Sequence, residues 1–142
     1  MHILNLASAV PKNYYTTQKL LEAFPCQLPE KVKQNILNTG VQKRYLLRTF
    51  DSDPSVNGFG DQEYINLCAQ ACENALRRAE TFVEDINYLV ATYDANPLLS
   101  PGLSYVLIPK LGLSKFVKHV NLQGVASTAL PKALDTARNY LA

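Results

Sequence analysis

The sequence has few residues of the types that bind metals or carry redox chemistry. Its 142 residues include no tryptophan, one methionine, two histidines and three cysteines. A protein metal site needs three or four ligands, and neither His2 nor His119 lies near a cysteine at ligand spacing. Cys68 and Cys72 are four residues apart, so they share one face of a predicted helix, and we interpret them as core residues. The sequence therefore predicts no metal site.

Long apolar runs and a strong excess of one charge are also missing. No apolar stretch reaches the length of a transmembrane helix, and the N-terminus lacks the basic segment of a signal peptide. The net charge is +2, with the basic residues dispersed, which does not indicate a nucleic-acid surface. An odd number of cysteines without a secretion signal is typical of free thiols in a reducing compartment. We therefore expect a cytoplasmic protein with no membrane span and no nucleic-acid partner.

The composition is that of a globular protein, with 47% hydrophobic and 18% charged residues, and its length predicts one domain over residues 1–142. Apolar runs predict buried strands over residues 3–10, 85–92 and 117–122. Helical spacing and capping residues predict helices over residues 17–24, 30–39, 61–80 and 103–111, and from about residue 127 onward. Pro109 should kink or shorten the fourth of these helices. The alternation after residue 60 predicts an α/β fold in which all three strands are parallel neighbours, with the last helix against them.

Ser127 stands where a predicted strand passes through a tight turn into the last helix. At such a turn, the free N–H groups and the dipole of the helix point at the side chain. That environment lowers the pKa of a cysteine thiol, but it does not usefully ionise a serine hydroxyl. The residues leave two interpretations open, a nucleophile position and a helix N-cap, and the local chemistry favours the cap.

Basic residues surround the second predicted helix and the segment after it. They include Lys31, Lys33, Lys43 and Arg44. One interpretation is a solvated face, and the other is contact with a phosphorylated ligand, which needs cations at the mouth of a pocket. Their dispersed spacing alone favours the solvated face.

Two segments carry a resemblance to a known family. The first, Pro101-Gly-Leu-Ser-Tyr-Val-Leu-Ile-Pro-Lys-Leu-Gly-Leu113 with Phe116-Val-Lys118, resembles the Pro-Gly-x-x-Tyr-x-Leu…Leu-Gly-Leu…Val-Lys segment of chalcone synthase-like type III polyketide synthases. The second, Asn38-Thr-Gly-Val-Gln-Lys-Arg-Tyr45, is similar to their Ile-x-Lys-Arg-Tyr turn and to the Thr-Gly-Ile-x-x-Arg of ketoacyl synthase III relatives. Counting from Val117-Lys118, the nucleophilic cysteine of the family falls on Ser127. The resemblance runs from about Ile3 to the C-terminus.

The resemblance implies a thiolase fold, which consists of two αβαβα halves in a homodimer. This chain would be an incomplete first half with a mostly parallel sheet. Family members load an acyl-CoA starter onto the cysteine, decarboxylate malonyl-CoA and join the two by Claisen condensation, with the CoA esters as substrates and no further cofactor. A histidine and an asparagine of the second half assist the reaction, and this chain contains no candidate for either. We therefore expect the 142-residue chain alone to be inactive, and to pair with another copy or with the missing C-terminal half.

The resemblance also assigns roles to the basic residues. In plant relatives three basic residues on the second helix contact CoA phosphates. By alignment Lys31 retains the first, whereas Gln34 and Asn38 replace the others, and Lys33 is a candidate substitute. Together with Lys43 and Arg44, Lys31 and Lys33 are expected to mark the entrance of a pantetheine tunnel that ends near Ser127.

A further departure concerns the starter pocket. Ser100 stands where plant relatives have a methionine that enters the pocket of the partner subunit, and the preceding loop is longer here. Tyr93, which follows Thr92, falls near a pocket threonine of the family. The resemblance therefore assigns Thr92, Tyr93 and Ser100 to the substrate pocket and dimer loop, and it predicts an altered starter cavity.

Two hypotheses of different classes follow. In the first, the chain is the N-terminal portion of a type III polyketide synthase-like acyltransferase with serine at the nucleophile position. In the second, it is a non-catalytic remnant that serves as a scaffold or partner subunit of thiolase-like fold.

Overall fold

The computed structural model describes residues 2–24, 26–47, 61–93 and 101–141. It divides the chain into two compact units. The sheet unit comprises Met1–Ala9 and Asp61–Ala142, and the hairpin unit comprises Val10–Gly60. That all of residues 1–142 form one domain stays a prediction.

The hairpin unit contains two short strands and two helices. They are β1 (Tyr14–Thr16), α1 (Thr17–Glu22), α2 (Glu30–Asn38) and β2 (Lys43–Tyr45). β1 and β2 pair antiparallel, with Tyr14 opposite Tyr45. Thr16 caps α1 as expected, since its side-chain oxygen accepts a hydrogen bond from the N–H of Lys19 at 3.2 Å. The sequence did not predict β1, although two tyrosines and a threonine are typical strand residues.

The sheet unit has a central pair of parallel strands. Its elements are α3 (Asp61–Arg78), β3 (Tyr88–Tyr93), α4 (Leu103–Lys110), β4 (Lys118–Gln123) and α5 (Ala129–Tyr140), with single 3-10 turns at Val83–Asp85 and Ala126–Thr128. β3 and β4 pair in parallel, with Tyr88 opposite Lys118 and Tyr93 opposite Gln123. The predicted parallel pairing of the second and third strands is thus confirmed.

Helices cover both faces of this sheet. The buried core joins α3 and α4 to one face of β3, and it contains Ile65, Ala69, Ala91, Tyr93, Leu103 and Leu107. Because strand side chains alternate, Tyr88 points to the opposite face from Tyr93. There it stacks on Tyr140 with ring centroids 4.1 Å apart. Since Tyr140 ends α5 and Tyr88 begins β3, α5 runs antiparallel to β3, and its first turn lies toward the carboxyl ends of the strands.

The predicted strand over residues 3–10 is wrong, because these residues form no strand. A strand needs a neighbour to accept its backbone hydrogen bonds, and side-chain bonds to α3 hold this segment instead. The amide of Asn5 donates to the carbonyl of Arg78 at 3.1 Å, and the guanidinium of Arg78 donates to the carbonyl of Leu6 at 3.2 Å. Ile3, Leu4 and Leu6 remain exposed.

Pro109 shortens α4 by no more than one residue of its predicted length. It lies in the last turn, one residue before the helix ends at Lys110. The N–H of Leu111 still donates to the carbonyl of Leu107 at 2.9 Å. A proline so near the end removes few helical bonds, which explains why α4 reaches the predicted length to within one residue.

Candidate functional site

The turn between β4 and α5 places Ser127 at the carboxyl edge of the parallel strands. Two residues of this turn have left-handed backbone, Gly124 with φ +69° and Ala126 with φ +46°. The second is unusual, because an alanine in this region is strained. Ser127 follows it within the 3-10 turn Ala126–Thr128 and is exposed. Ligands of open α/β sheets bind at this edge.

Ser127 is not the N-cap of α5, which corrects the interpretation that local chemistry favoured. Thr128 occupies the cap position and makes no side-chain capping bond. Its hydroxyl instead donates to the carbonyl of Val125 at 2.6 Å. Within the described residues the Ser127 hydroxyl forms no hydrogen bond, so no base is paired with it. The side chain therefore precedes a twelve-residue helix, and no described residue is placed to remove its proton.

A buried polar cluster lies beside this edge, and the sequence did not predict it. Ser104 of α4 is fully buried, with 0% of its surface exposed. Its Oγ lies 2.9 Å from Nδ1 of His119 and accepts a hydrogen bond from Nδ2 of Asn121 at 2.7 Å. Its backbone N–H donates to Oδ1 of Asn121 at 3.0 Å. Strand alternation places His119 and Asn121 on one face of β4, and that was the only signal available in the sequence.

Gly102, which precedes α4, allows this cluster to close. A Cβ at Gly102 would lie 2.7 Å from the side chain of Asn121 and 3.0 Å from the hydroxyl of Tyr93. Any larger residue would therefore force these groups apart. Steric crowding therefore explains why the Pro-Gly motif has glycine here, because the backbone at the start of α4 approaches both strands closely.

The residues assigned to the starter pocket fall on different faces. Tyr93 is buried in the core with α3 and α4, so it points away from the face that carries α5. Thr92 points to the α5 side, and its buried hydroxyl has no hydrogen-bond partner among the described residues. Ser100 lies outside the described residues. A shared pocket for these three residues stays a prediction.

The four basic residues assigned to CoA all lie in the hairpin unit, and they do not form one cluster. Lys31 is exposed on α2, on the same helix face as Gln34 and Asn38 by their spacing. Lys33 is half-buried, and its Nζ lies 3.8 Å from a carboxylate oxygen of Glu30.

Lys43 and Arg44 are consecutive in β2, so their side chains point to opposite faces of the hairpin. The Nζ of Lys43 lies 5.3 Å and 5.4 Å from the ring centroids of Tyr14 and Tyr45. A hydrogen bond to Tyr45 and the charge of its phenol raise the pKa of Lys43. Arg44 instead borders a groove of about 390 Å³ lined mainly by apolar residues of α1, α2 and the segment between them. One phosphate group cannot engage both side chains without a change of backbone.

The thiols of α3 are shielded core groups. Cys68 and Cys72 pack against the core, and burial raises the pKa of both. Cys26 is exposed. Within the described ranges, no group of three or more histidine, cysteine or acidic side chains is placed to hold a metal. No helix of those ranges has the length and apolarity to cross a membrane.

Several known proteins are similar to this chain in sequence or in structure. No protein-family model matches the chain. A curated relative, 3,5-dihydroxyphenylacetyl-CoA synthase of Streptomyces toyocaensis, is 28% identical over 149 residues, which cover 99% of this chain and 38% of that protein. A fungal type III polyketide synthase, ORAS, superposes with a TM-score of 0.82 at 23% identity, over 97% of this chain and 40% of its own. The chain has the fold of the N-terminal part of type III polyketide synthases.

The thiolase-like α/β fold expected from the resemblance is thereby confirmed. A mutant of CsyB in complex with CoA-SH also superposes, with a TM-score of 0.81 at 24% identity, over 96% of this chain and 40% of that protein. The chain thus spans about two fifths of the length of the proteins that it matches.

Proposed function

We propose that this chain is the N-terminal portion of an acyltransferase of the type III polyketide synthase kind, which condenses acyl-CoA with malonyl-CoA by decarboxylative Claisen chemistry. One observation carries the proposal. Ser127 is exposed on a strained left-handed turn, at the carboxyl edge of parallel strands and in front of α5. Strain of this kind persists where the surrounding structure enforces it, and it is concentrated at functional sites.

The proposal gives the turn a defined chemical task. A thiolate at position 127 would attack the carbonyl carbon of a CoA thioester, and the carbon–sulfur bond to CoA would break. The acyl group would then reside on residue 127, and CoA would leave as a thiolate that takes up a proton. The N–H groups at the start of α5 favour negative charge there, and a thiol in such a position loses its proton more readily.

Serine at position 127 limits what this chain does. Its hydroxyl has no base partner within the described residues, and an activated nucleophile needs either a base or a lowered pKa. We therefore propose that Ser127 as it stands supports no detectable condensation. This serine is also the observation that favours the second candidate, a non-catalytic subunit of thiolase-like fold.

The substrates and partners belong to the same proposal. We infer that Lys31, Lys33 and Arg44 contact the phosphates of a CoA thioester. Lys43 points away from Arg44 and would join them only after rearrangement.

The sheet unit leaves large apolar side chains in water, with Phe116 81% and Phe82 73% exposed. Exposed apolar surface of this kind supports association with another copy or with a C-terminal half. Sedimentation of a stable monomer at high concentration would contradict that part.

The test restores the thiol in the whole natural protein. The Ser127→Cys variant is incubated with a panel of acyl-CoAs, and peptide mass locates any acyl group. We expect acylation of residue 127 that hydroxylamine reverses. Ser114→Cys is the matched control, because Ser114 is an exposed serine outside the turn, and it should stay unlabelled. Absence of labelling at residue 127, while iodoacetamide reaches the introduced thiol, would favour the non-catalytic subunit.

A further inference from the structure

The buried cluster of Ser104, His119 and Asn121 has no task in the proposed function. It does not form the exposed turn, and it joins α4 to β4, which also meet where the ring of Tyr105 contacts the ring of His119, with centroids 4.5 Å apart. All three of its hydrogen-bonded contacts run between α4 and β4, over 2.7 to 3.0 Å. A fully buried serine between two polar partners is costly unless each group is satisfied.

Two of the three hydrogen bonds have a fixed direction. The N–H of Ser104 donates to Asn121, so the accepting atom of that amide is its oxygen and the amide orientation is fixed. The Asn121 NH₂ then donates to Ser104 Oγ. The Ser104 Oγ also forms a hydrogen bond with Nδ1 of His119 at 2.9 Å, and the tautomer of the imidazole sets which of the two atoms donates. Removal of any one side chain leaves another buried group unpaired.

The cluster acts close to the end of β4. Two residues of the strand follow Asn121, and the second of them, Gln123, ends it. The left-handed residues Gly124 and Ala126 come next, and then Ser127. On the other side of the turn α5 packs along β3, and its last residue Tyr140 stacks on Tyr88 at the opposite edge of the sheet. A turn anchored at both ends keeps its side chain in one place relative to the helix N-terminus.

We propose that Ser104, His119 and Asn121 are positioning residues that hold the end of β4 against α4 and thereby fix Ser127 in front of α5. The inference rests on the proposed function of the turn, and it assigns no contact with reacting atoms to the three residues. Its consequence is that their loss changes the ionisation of a thiol at position 127, in addition to any loss of stability.

The experiment uses the whole natural protein carrying Ser127→Cys. The rate at which iodoacetamide alkylates residue 127 is followed from pH 5 to pH 10 by peptide mass, which separates this thiol from Cys26. Adding Asn121→Leu should move the midpoint of the pH profile upward by about one unit, because a helix N-terminus lowers a thiol pKa only while the thiol stays there. One unit corresponds to about tenfold less thiolate at any pH well below both midpoints.

Further variants test whether the cluster is one unit. Ser104→Ala alone should shift the midpoint in the same direction. The double variant Asn121→Leu/Ser104→Ala should shift it no further than either single one, as expected for groups in one network. If Asn121→Leu does not fold, Asn121→Asp replaces it, because that side chain still accepts from the Ser104 N–H but no longer donates to Oγ.

Ile65→Ala is the matched control for lost stability. Ile65 is buried in the same core but carries no polar group, so its truncation should lower the melting temperature and leave the midpoint unchanged. Equal midpoints for Asn121→Leu and Ile65→Ala would overturn the positioning role. The proposed function fails separately. An introduced thiol that no acyl-CoA labels, yet whose alkylation depends on Asn121, rejects acyl transfer and retains the positioning role.

Discussion

The backbone conformation of Ala126 reflects the geometry of the turn that carries Ser127. Its φ of +46° lies in the left-handed region, where a Cβ is unfavourable and glycine is not. The turn keeps this conformation because β4 and α5 fix its two ends. The strained φ of Ala126 therefore results from the way β4 and α5 constrain the whole turn.

Replacing Ala126 with glycine should relieve that strain. We expect Ala126→Gly to raise the free energy of unfolding by about 0.5–1 kcal/mol, since the gain in the folded state exceeds the added freedom of the unfolded chain. Ala129→Gly is the matched control, because Ala129 has an ordinary helical φ of −54° and should lose about 1 kcal/mol. Urea denaturation measures both values. Destabilisation by both variants to the same extent would show that Ala126 is unstrained.

At the scale of elements, the sequence predicted the helices and the two paired strands of the sheet unit. α3 and α4 begin at residues 61 and 103, as their capping and Pro-Gly signals indicated. The misassigned segment has apolar residues as dense as those of β3, but it lacks a neighbouring strand. Apolar patterning reports which residues avoid water, whereas strand formation also needs a partner for the backbone.

The candidate site was predictable only in part, for a related reason. The position of Ser127 followed from a strand, a turn and a helix that are contiguous in sequence. The cluster of Ser104 with His119 and Asn121 joins residues 15 and 17 positions apart. No local pattern marks such a contact, because it depends on how α4 crosses from β3 to β4.

The attachment of residues 2–9 to α3 can be tested at the same scale. Arg78→Ala removes the guanidinium that binds the carbonyl of Leu6, so the segment should detach more often. We expect faster amide exchange and faster proteolytic cleavage over residues 2–9, with a loss of overall stability of about 1 kcal/mol or less. Arg77→Ala is the control, since that side chain bonds Asn74 within α3. Equal cleavage rates in both variants would contradict the attachment.

At the scale of the whole molecule, buried titratable groups set the alkaline limit of stability. Burial is the main reason why the pKa of Tyr64 is raised to about 12, and Cys68 beside it adds to the effect. The unfolded chain loses this proton near pH 10, and the folded chain keeps it until about pH 12. The unfolded state thus binds fewer protons in that interval, and the free energy of unfolding falls as pH rises.

We expect stability to be independent of Tyr64 ionisation below pH 10 and to decline between pH 10 and pH 12. Tyr64→Phe should flatten part of this decline, because the phenol can no longer ionise in the unfolded state. The slope that remains belongs in part to Cys68 and Cys72, whose pKa values are also raised by burial. Urea denaturation at several alkaline pH values measures the slopes. Identical slopes in the variant and the natural chain would exclude Tyr64 as a source.

The division of the sheet unit into Met1–Ala9 and Asp61–Ala142 has a consequence for synthesis on the ribosome. The hairpin unit lies between these two pieces, so its contacts are complete before the partner of the first piece has been translated. Residues 2–9 cannot form their hydrogen bonds until Arg78 has been translated. β3 cannot pair until β4 has been translated, about thirty residues after β3 itself. During that interval Ile3, Leu4 and Leu6 are apolar and unattached. A nascent chain paused between residues 60 and 77 therefore carries residues 2–9 without their two hydrogen bonds to α3.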